Sequence, residues 1–297
     1  MRFIIIGLGS IGKRHKKNLL SLGHEVIPCH RDDNLEKLLS KNKSDGALIC
    51  NPTSLHIKTA ITTAKAGVNI FLEKPISHNL KGVDELLKLV KKKNLVLMVG
   101  YNLRFEPNLA KIKDQLDQQF IGKVKSAKIF VGSYLPDWHL DEDYRQSYSA
   151  KKSLGGGVLL DLSHEIDYAI WLFGRAKTIK AKVEVVPKLE IETEGLAELK
   201  VKFKSGVTAD IHLDYVSRKY KRNLKITGEK GYLQWDYAAI KDSGWDKDEM
   251  YIKEVENFIQ AVKGKEKPLV TGEEAKHVLE IVEAAKKSSK TGKVIVL

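Results

Sequence analysis

The tightest constraint on how this chain folds lies at its start. An apolar run, Arg2–Ile6, leads into Gly7-Leu8-Gly9-Ser10-Ile11-Gly12, and a helical pattern, Ile11–Leu22, follows. This is a G-x-G-x-x-G turn in the strand-to-helix setting that gives the pattern its meaning. The backbone must turn sharply at Gly7, approach a pyrophosphate at Gly9, and let the helix pack close to the strand at Gly12. The N–H groups of the helix start, around Ser10 and Ile11, then face an anion with the helix dipole behind them. Such a unit predicts a dinucleotide site on a parallel, doubly wound sheet.

The next hundred residues fit that sheet. Short continuous runs of Ile, Val and Leu recur at Glu25–Pro28, Gly46–Cys50, Asn69–Leu72 and Leu95–Val99. Continuity rather than alternation marks strands buried on both faces. Helical patterns lie between them at Asn34–Lys41, Ser54–Ala66 and Leu80–Lys93. Beyond about residue 120 the pattern changes. Lys123–Tyr134, Lys177–Val186, Glu194–Lys204, Val207–Val216, Leu224–Thr227 and Tyr232–Trp235 read as strands, several alternating apolar with polar residues. Gly206 and the pair Gly228 and Gly231 mark tight turns between them. One-sided alternation predicts an antiparallel sheet with a wetter face. Gly157–Phe173, Met250–Val262 and Glu273–Lys286 read as helices, with a last strand at Lys293–Val296. The expected fold class is therefore α/β: a Rossmann domain over residues 1–120, then an α+β domain over 121–297. The second carries a large, mostly antiparallel open sheet, and a C-terminal helix is expected to pack back on the first domain.

Composition narrows the setting. Of 297 residues, 42% are hydrophobic and 30% charged, which excludes a disordered chain. Two cysteines, Cys29 and Cys50, exclude a disulfide scaffold and a multi-cysteine zinc site, and no metal is expected. The longest apolar runs fall far short of the ~20 residues a membrane-crossing helix needs, and the start lacks a signal-peptide layout. A cytoplasmic protein with no membrane partner is the expectation. Lys and Arg number 51 against 38 Asp and Glu, a formal net charge of +13. That excess points to an anionic partner. Lysines are spread through every helix, however, and no nucleic-acid-binding pattern occurs, so nucleic acid is not expected.

The end of the second strand bears on cofactor choice. An acid commonly stands there to bond the adenine ribose of NAD. Here the residues are His30, Arg31, Asp32 and Asp33. A guanidinium pairs with a phosphate bidentately, so His30 and Arg31 favour NADP over NAD. Lys13 and Arg14 are further candidates to reach a 2′-phosphate, and Asp32 keeps NAD open.

Three segments go beyond a generic dinucleotide fold: Asn51-Pro52-Thr53-Ser54-Leu55-His56 after the third strand, Glu73-Lys74-Pro75 after the fourth, and Gly155-Gly156-Gly157-Val158-Leu159-Leu160-Asp161-Leu162-Ser163-His164-Glu165-Ile166-Asp167. Together they resemble the glucose–fructose oxidoreductase, inositol dehydrogenase and rhizopine-catabolism family, Gfo/Idh/MocA, over nearly the whole chain. The resemblance implies an NAD(P)-dependent oxidoreductase acting on a sugar, nucleotide sugar or polyol, with homodimers or homotetramers formed through the C-terminal sheet. It implies a catalytic role for Lys74 and His164, with Pro75 commonly in a cis peptide. Asn51, Pro52 and His56 match the stretch around the nicotinamide ribose, Glu73 precedes the lysine, and Asn102 and Arg104 match the segment under the nicotinamide. The family's aspartate stands four residues before the histidine. Asp161 stands three before His164, which turns it relative to the usual geometry. On a continuous helix the two would still share a face.

The chemistry those residues suit is hydride transfer at a secondary carbinol carbon. A base must take the hydroxyl proton. His164, with an ordinary pKa near ~6.5, suits that task, and Lys74 suits stabilising charge on the oxygen. Asp161 is a second candidate proton group. The segment 136–148, with Trp138, His139, Tyr144 and Arg145, and Tyr134 just before it, offers rings for a sugar and a guanidinium for an anionic substrate. Gly132–His139 and Asp143–Arg145, with the Leu162–Tyr168 run, are similar to a subgroup in bacterial surface-sugar biosynthesis. The alternative is a non-catalytic NAD(P)-binding regulator or sensor, and retention of both Lys74 and His164 argues against it.

Overall fold

The structure, a computed structural model, describes residues 1–138, 143–241 and 245–297. It forms two compact units, one of Met1–Phe105 with Asp248–Lys276 and one of Glu106–Lys247 with His277–Leu297.

The first unit is built on a five-stranded parallel sheet in the order β2-β1-β3-β4-β5. Its elements run β1 (Arg2–Ile6), α1 (Ser10–Ser21), β2 (Glu25–Cys29), α2 (Leu35–Lys41), β3 (Gly46–Ile49), α3 (His56–Lys65), β4 (Asn69–Glu73), α4 (Val83–Lys92) and β5 (Leu97–Gly100). The continuous apolar runs behave as their composition requires: all four residues of β3 and all four of β5 are buried. α4 carries Asp84 and Glu85 in its first turn and Lys91 and Lys92 in its last, which complements the helix dipole.

The second unit holds a seven-stranded sheet, ordered β11-β10-β6-β9-β8-β7-β12. It begins with α5 (Pro107–Asp117) and β6 (Val124–Gly132), then α6 (Val158–Asp161), α7 (His164–Phe173), β7 (Ala176–Glu184), β8 (Leu196–Phe203), β9 (Thr208–Asp214), β10 (Lys221–Gly228), β11 (Tyr232–Asp236) and α8 (Tyr237–Lys241). All neighbours are antiparallel except β6 with β9, which run parallel. Along β8, Ala197, Leu199, Val201 and Phe203 are buried while Glu198, Lys200 and Lys202 are exposed. That is the alternation expected of a sheet covered on one face.

The chain end is shared. α9 (Asp248–Val262) lies in the first unit, α10 (Gly272–Thr291) starts there and continues in the second, and β12 (Ile295–Val296) adds to the edge of β7. α9 contributes Val255, Phe258 and Ile259 to the core of the first unit, against Phe3, Leu48, Phe71 and Met98. A Cβ on Gly46 would come within 3.1 Å of both Phe258 and Phe3, so that helix fits only over glycine. α10 opens on a capping box: Glu274 N–H donates to Thr271 Oγ1 (3.2 Å), and Thr271 N–H donates to Glu274 Oε2 (3.0 Å). The chain passes from the first unit to the second after Phe105, whereas the sequence pattern expects the boundary near residue 120.

Two local readings need correction. The single helix expected over Gly157–Phe173 is two helices, with Leu162 and Ser163 between them. Ser163 Oγ donates to the Leu160 carbonyl (2.8 Å) at the break, a local bond that competes with helix continuation. Residues 107–117, left without an element by the apolar pattern, form α5. Its start is written in the sequence as Glu106-Pro107: the Glu106 carboxylate accepts from Asn108 and Leu109 N–H, and Pro107 occupies the first turn.

Candidate active site

In the first unit the strand order reverses between β1 and β3, which makes the carboxyl ends of those strands a switch point. The glycine turn sits there. Gly7 has φ +94°, and a Cβ on it would lie 2.7 Å from Asn51 N; one on Gly12 would lie 2.0 Å from Gly7 O. Both positions therefore demand glycine. Gly9 differs, because a Cβ there would meet nothing within 4 Å. The space is open, directly before a helix whose first turn has neither a capping side chain nor an acid. Exposed Gly9 and Ser10 and half-buried Ile11 thus present a helix start suited to an anion.

The turn after β3 adds a second point of fit. Asn51 Nδ2 donates to Thr59 Oγ1 (2.9 Å), while the buried Asn51 Oδ1 has no partner among the described residues. A ribose hydroxyl would supply the missing donor. Together, the open cradle at Gly9 and this acceptor fit a dinucleotide. Pro52 is exposed beside them. At the end of β2, His30 and Arg31 are exposed, and Asp33 closes the turn by accepting from His30 N–H (2.7 Å). Arg14 is directed elsewhere: it pairs with Asp248 at 3.3 Å and lies over the Tyr251 ring at 4.5 Å.

Lys74 follows β4 in a turn held on both sides, and the Lys74–Pro75 peptide is cis. Glu73 Oε1 meets Nε2 of fully buried His15 at 2.6 Å, and Glu73 Oε2 accepts from Lys74 N–H at 3.2 Å. The pair gives Glu73 a structural partner from α1. His56 is also buried, its Nδ1 2.8 Å from the Pro75 carbonyl and its Nε2 2.9 Å from the Asn51 carbonyl. It therefore lies between the two turns. Asn102 and Arg104 are buried in the short turn after β5. Arg104 donates to the Leu269 carbonyl (3.0 Å) and to Glu274 Oε1 (2.8 Å). Burial pushes the Glu274 carboxyl up, and Arg104 more than offsets this, leaving it below its ordinary value. Arg104 is thus directed at α10 within its own unit.

In the second unit Asp161 ends α6 and His164 begins α7, so the break at Leu162–Ser163 removes the continuous helix face expected for them. Asp161 is buried and its Oδ2 accepts from Tyr215 Oη at 2.5 Å. Burial, reinforced by Asp161, drives the Tyr215 phenol well above its ordinary pKa, so it remains a donor. Trp138 packs edge-on to Tyr215, ring centres 5.3 Å apart, with its Nε1 donating to Ser133 Oγ (2.7 Å). Glu194, held protonated more readily by burial, lies against Gly157, where a Cβ would come within 2.5 Å of its Oε1. Tyr134 carries the Arg218 guanidinium over its ring at 3.7 Å. Tyr144 is half-buried. Arg145 is half-exposed and pairs with Asp143 and Glu190, both at 2.9 Å, so its charge is already answered on the surface. His139 lies outside the described residues.

The structure therefore brings Asp161, Trp138 and Tyr215 together, while Arg145 pairs with Asp143 and Glu190. Tyr215 escaped the sequence pattern, since nothing local distinguishes it from any strand-end tyrosine. Tyr215→Phe is expected to lose about 1.5–3 kcal/mol in urea unfolding, the usual worth of a hydrogen bond to a charged group, and to lower turnover several-fold. Unchanged values of both would remove Tyr215 from any role at Asp161.

Fold and site define a two-unit oxidoreductase on a Rossmann scaffold. Residues 25–101 match the oxidoreductase family's NAD-binding Rossmann fold, and residues 113–297 match its C-terminal alpha/beta domain. The chain belongs to the Gfo/Idh/MocA family of oxidoreductases. It is 29% identical to the myo-inositol 2-dehydrogenase of Thermotoga maritima, covering 97% of this chain and 96% of that one. It is 27% identical to the NAD(+)-dependent scyllo-inositol 2-dehydrogenase of Bacillus subtilis, covering 98% and 95%. The fold of WlbA dehydrogenase from Bordetella pertussis, solved with NADH and UDP-GlcNAcA, superposes with a TM-score of 0.89 at 20% identity, over 100% of this chain and 97% of that one. No described helix is long and apolar enough to cross a membrane, and no described cluster of His, Cys, Asp or Glu could hold a metal ion.

Proposed function

We propose that this protein transfers a hydride between a nicotinamide dinucleotide and a ring carbinol of an inositol-like polyol, sugar or nucleotide sugar. The observation that carries the reading is the Lys74 turn, anchored through Glu73 and Pro75 by helices that follow the glycine turn and the Asn51 turn. Gly9, Ser10 and Ile11 would hold the pyrophosphate and Asn51 Oδ1 a ribose hydroxyl. When bound, the nicotinamide supplies the two-electron redox chemistry. His164 takes the hydroxyl proton, Lys74 stabilises charge on the oxygen, and Asp161, close before His164 in the sequence, is a second proton group. Trp138 suits contact with a sugar ring. The inositol dehydrogenases among the relatives support the substrate class, and the subgroup likeness extends it to surface-sugar building in the cytoplasm. The open sheet of the second unit is the proposed oligomer surface. Incubation with NAD+ or NADP+ and a panel of inositols, sugars and nucleotide sugars, followed by the absorbance of reduced nicotinamide, tests the reading. No reduction with any compound would overturn it.

The reading includes a preference for NADP over NAD, supported by exposed Arg31 and the absence of an acid at position 30. Arg31→Ala is expected to weaken NADPH binding about tenfold in fluorescence titration, the size of one lost charge-assisted pairing. NADH binding should change less than about twofold. Equal loss of both, or of neither, would remove the preference.

A further inference from the structure

Two buried histidines flank the Lys74 turn, and they act on it differently. His15 reaches Glu73 from α1 and fixes the residue before the lysine. His56 stands at the start of α3 and faces the carbonyl of the residue after it. Its other nitrogen faces the carbonyl of Asn51, the residue whose Oδ1 lacks a partner among the described residues. A neutral imidazole has one N–H and one lone pair, so it can donate to only one of these two oxygens. Pro75 is buried and so are Ile76 and Ser77 after it, which leaves the Pro75 carbonyl in need of a donor.

We infer that His56 is a positioning residue for Lys74, its Nδ1–H donating to the Pro75 carbonyl and so fixing the turn that carries the amine. The inference rests on the proposed role of Lys74 and adds to it how that amine is aimed. Burial, the larger influence on His56, lowers its pKa and favours the neutral ring with a single N–H. The Pro75 contact is buried and the Asn51 contact only partly so, and the carbonyl further from water has the greater need of the single N–H. The consequence is a division of labour on one ring. The Nδ1 side governs the Lys74 turn, and the Nε2 side lies against the turn that cradles the cofactor. Displacements of about 1 Å at such a group are enough to change turnover about 10²-fold, so loss of the tie should appear in chemistry before it appears in binding.

Asparagine places an amide near the position of Nδ1, and glutamine places one near Nε2, so the two substitutions separate the two sides. His56→Ala and His56→Gln are expected to lower kcat about tenfold, and in His56→Gln, which keeps an amide beside Asn51, the NADH Kd should stay within about twofold of wild type. His56→Asn should restore most of that loss. In amide hydrogen exchange of the full chain, residues 74–78 should exchange faster in His56→Gln than in His56→Asn. In the wild-type protein, long-range nitrogen-15 NMR should show the proton on Nδ1, a measurement that needs neither substrate nor variant. A proton on Nε2 alone would overturn the inference. So would wild-type kcat in His56→Gln, or equal losses in all three variants with exchange rising throughout the first unit. Lys74→Met is run in parallel: if it keeps wild-type turnover, the assignment of Lys74 fails. If it collapses while His56→Gln does not, only the role of His56 fails.

Discussion

Lys74→Met should lower turnover about 10²- to 10⁴-fold, the range a positioned proton or charge partner contributes. The NADH Kd should move less than about twofold. The reason for the separation is that Glu73 and Pro75, on either side of the lysine, are held by His15 and His56. Removing the amine leaves those anchors in place. Methionine keeps the length of the stem, so the change reports charge and hydrogen bonding more than packing. His164→Ala should behave in the same way, since His164 begins α7 rather than filling its core. Single-turnover measurements with the best substrate of the panel would separate chemistry from product release. Turnover within twofold of wild type in both variants would remove Lys74 and His164 from the chemistry, whereas no turnover by the wild-type protein with any compound would return the scaffold to the alternative of a dinucleotide-binding regulator, which needs no proton acceptor.

The largest effect on stability is expected at Arg222. Its guanidinium meets Glu165 at 2.9 Å, with the Glu165 side chain fully buried. Burial pushes the guanidinium pKa down, and Glu165, with nearby tyrosines, more than offsets it, so Arg222 stays charged. Breaking such a pair by removing one partner costs about 3–5 kcal/mol, because the remaining charge is stranded away from water. Arg222→Ala should therefore lower the urea midpoint sharply and the Tm by roughly 6 °C or more. The double change Arg222→Met with Glu165→Leu should recover much of the loss, because no charge is left behind. If Arg222→Ala unfolds at the wild-type midpoint, Glu165 has either taken up a proton or found water. Both variants can be checked by denaturant titration without any substrate.

Much of the fold could be read from local pattern. The parallel strands announced themselves as continuous apolar runs, because both faces of that sheet are buried. β8 announced itself by alternation, because one of its faces is not. The glycine turn was legible for a steric reason. Gly12 tolerates no Cβ beside Gly7 O, and Gly7 tolerates none beside Asn51 N. α5 was missed although its start is marked by Glu106-Pro107, since the apolar spacing of Leu109 and Ile112 is brief. The break between α6 and α7 was missed because Leu162 and Ser163 are ordinary helix residues by propensity. Only the local bond of Ser163 to Leu160 reveals it.

Of the candidate site, the sequence by itself determined the glycine turn, the lysine after the fourth strand and the family to which the chain belongs. Those signals are local: a few adjacent residues suffice to dictate a turn, a strand end or a helix start. What those residues touch was decided only by the tertiary structure. His56 meets Pro75 across 19 positions, Tyr215 meets Asp161 across 54, Arg222 meets Glu165 across 57 and His15 meets Glu73 across 58. Arg104 was given a place under the cofactor by its motif, and the fold directs it to Glu274, 170 positions away. A buried polar group needs a partner, but any donor or acceptor that the fold brings within reach will serve. Sequence spacing does not encode that choice, and so the partners of the polar residues, unlike the strands that carry them, become visible only when the chain is folded.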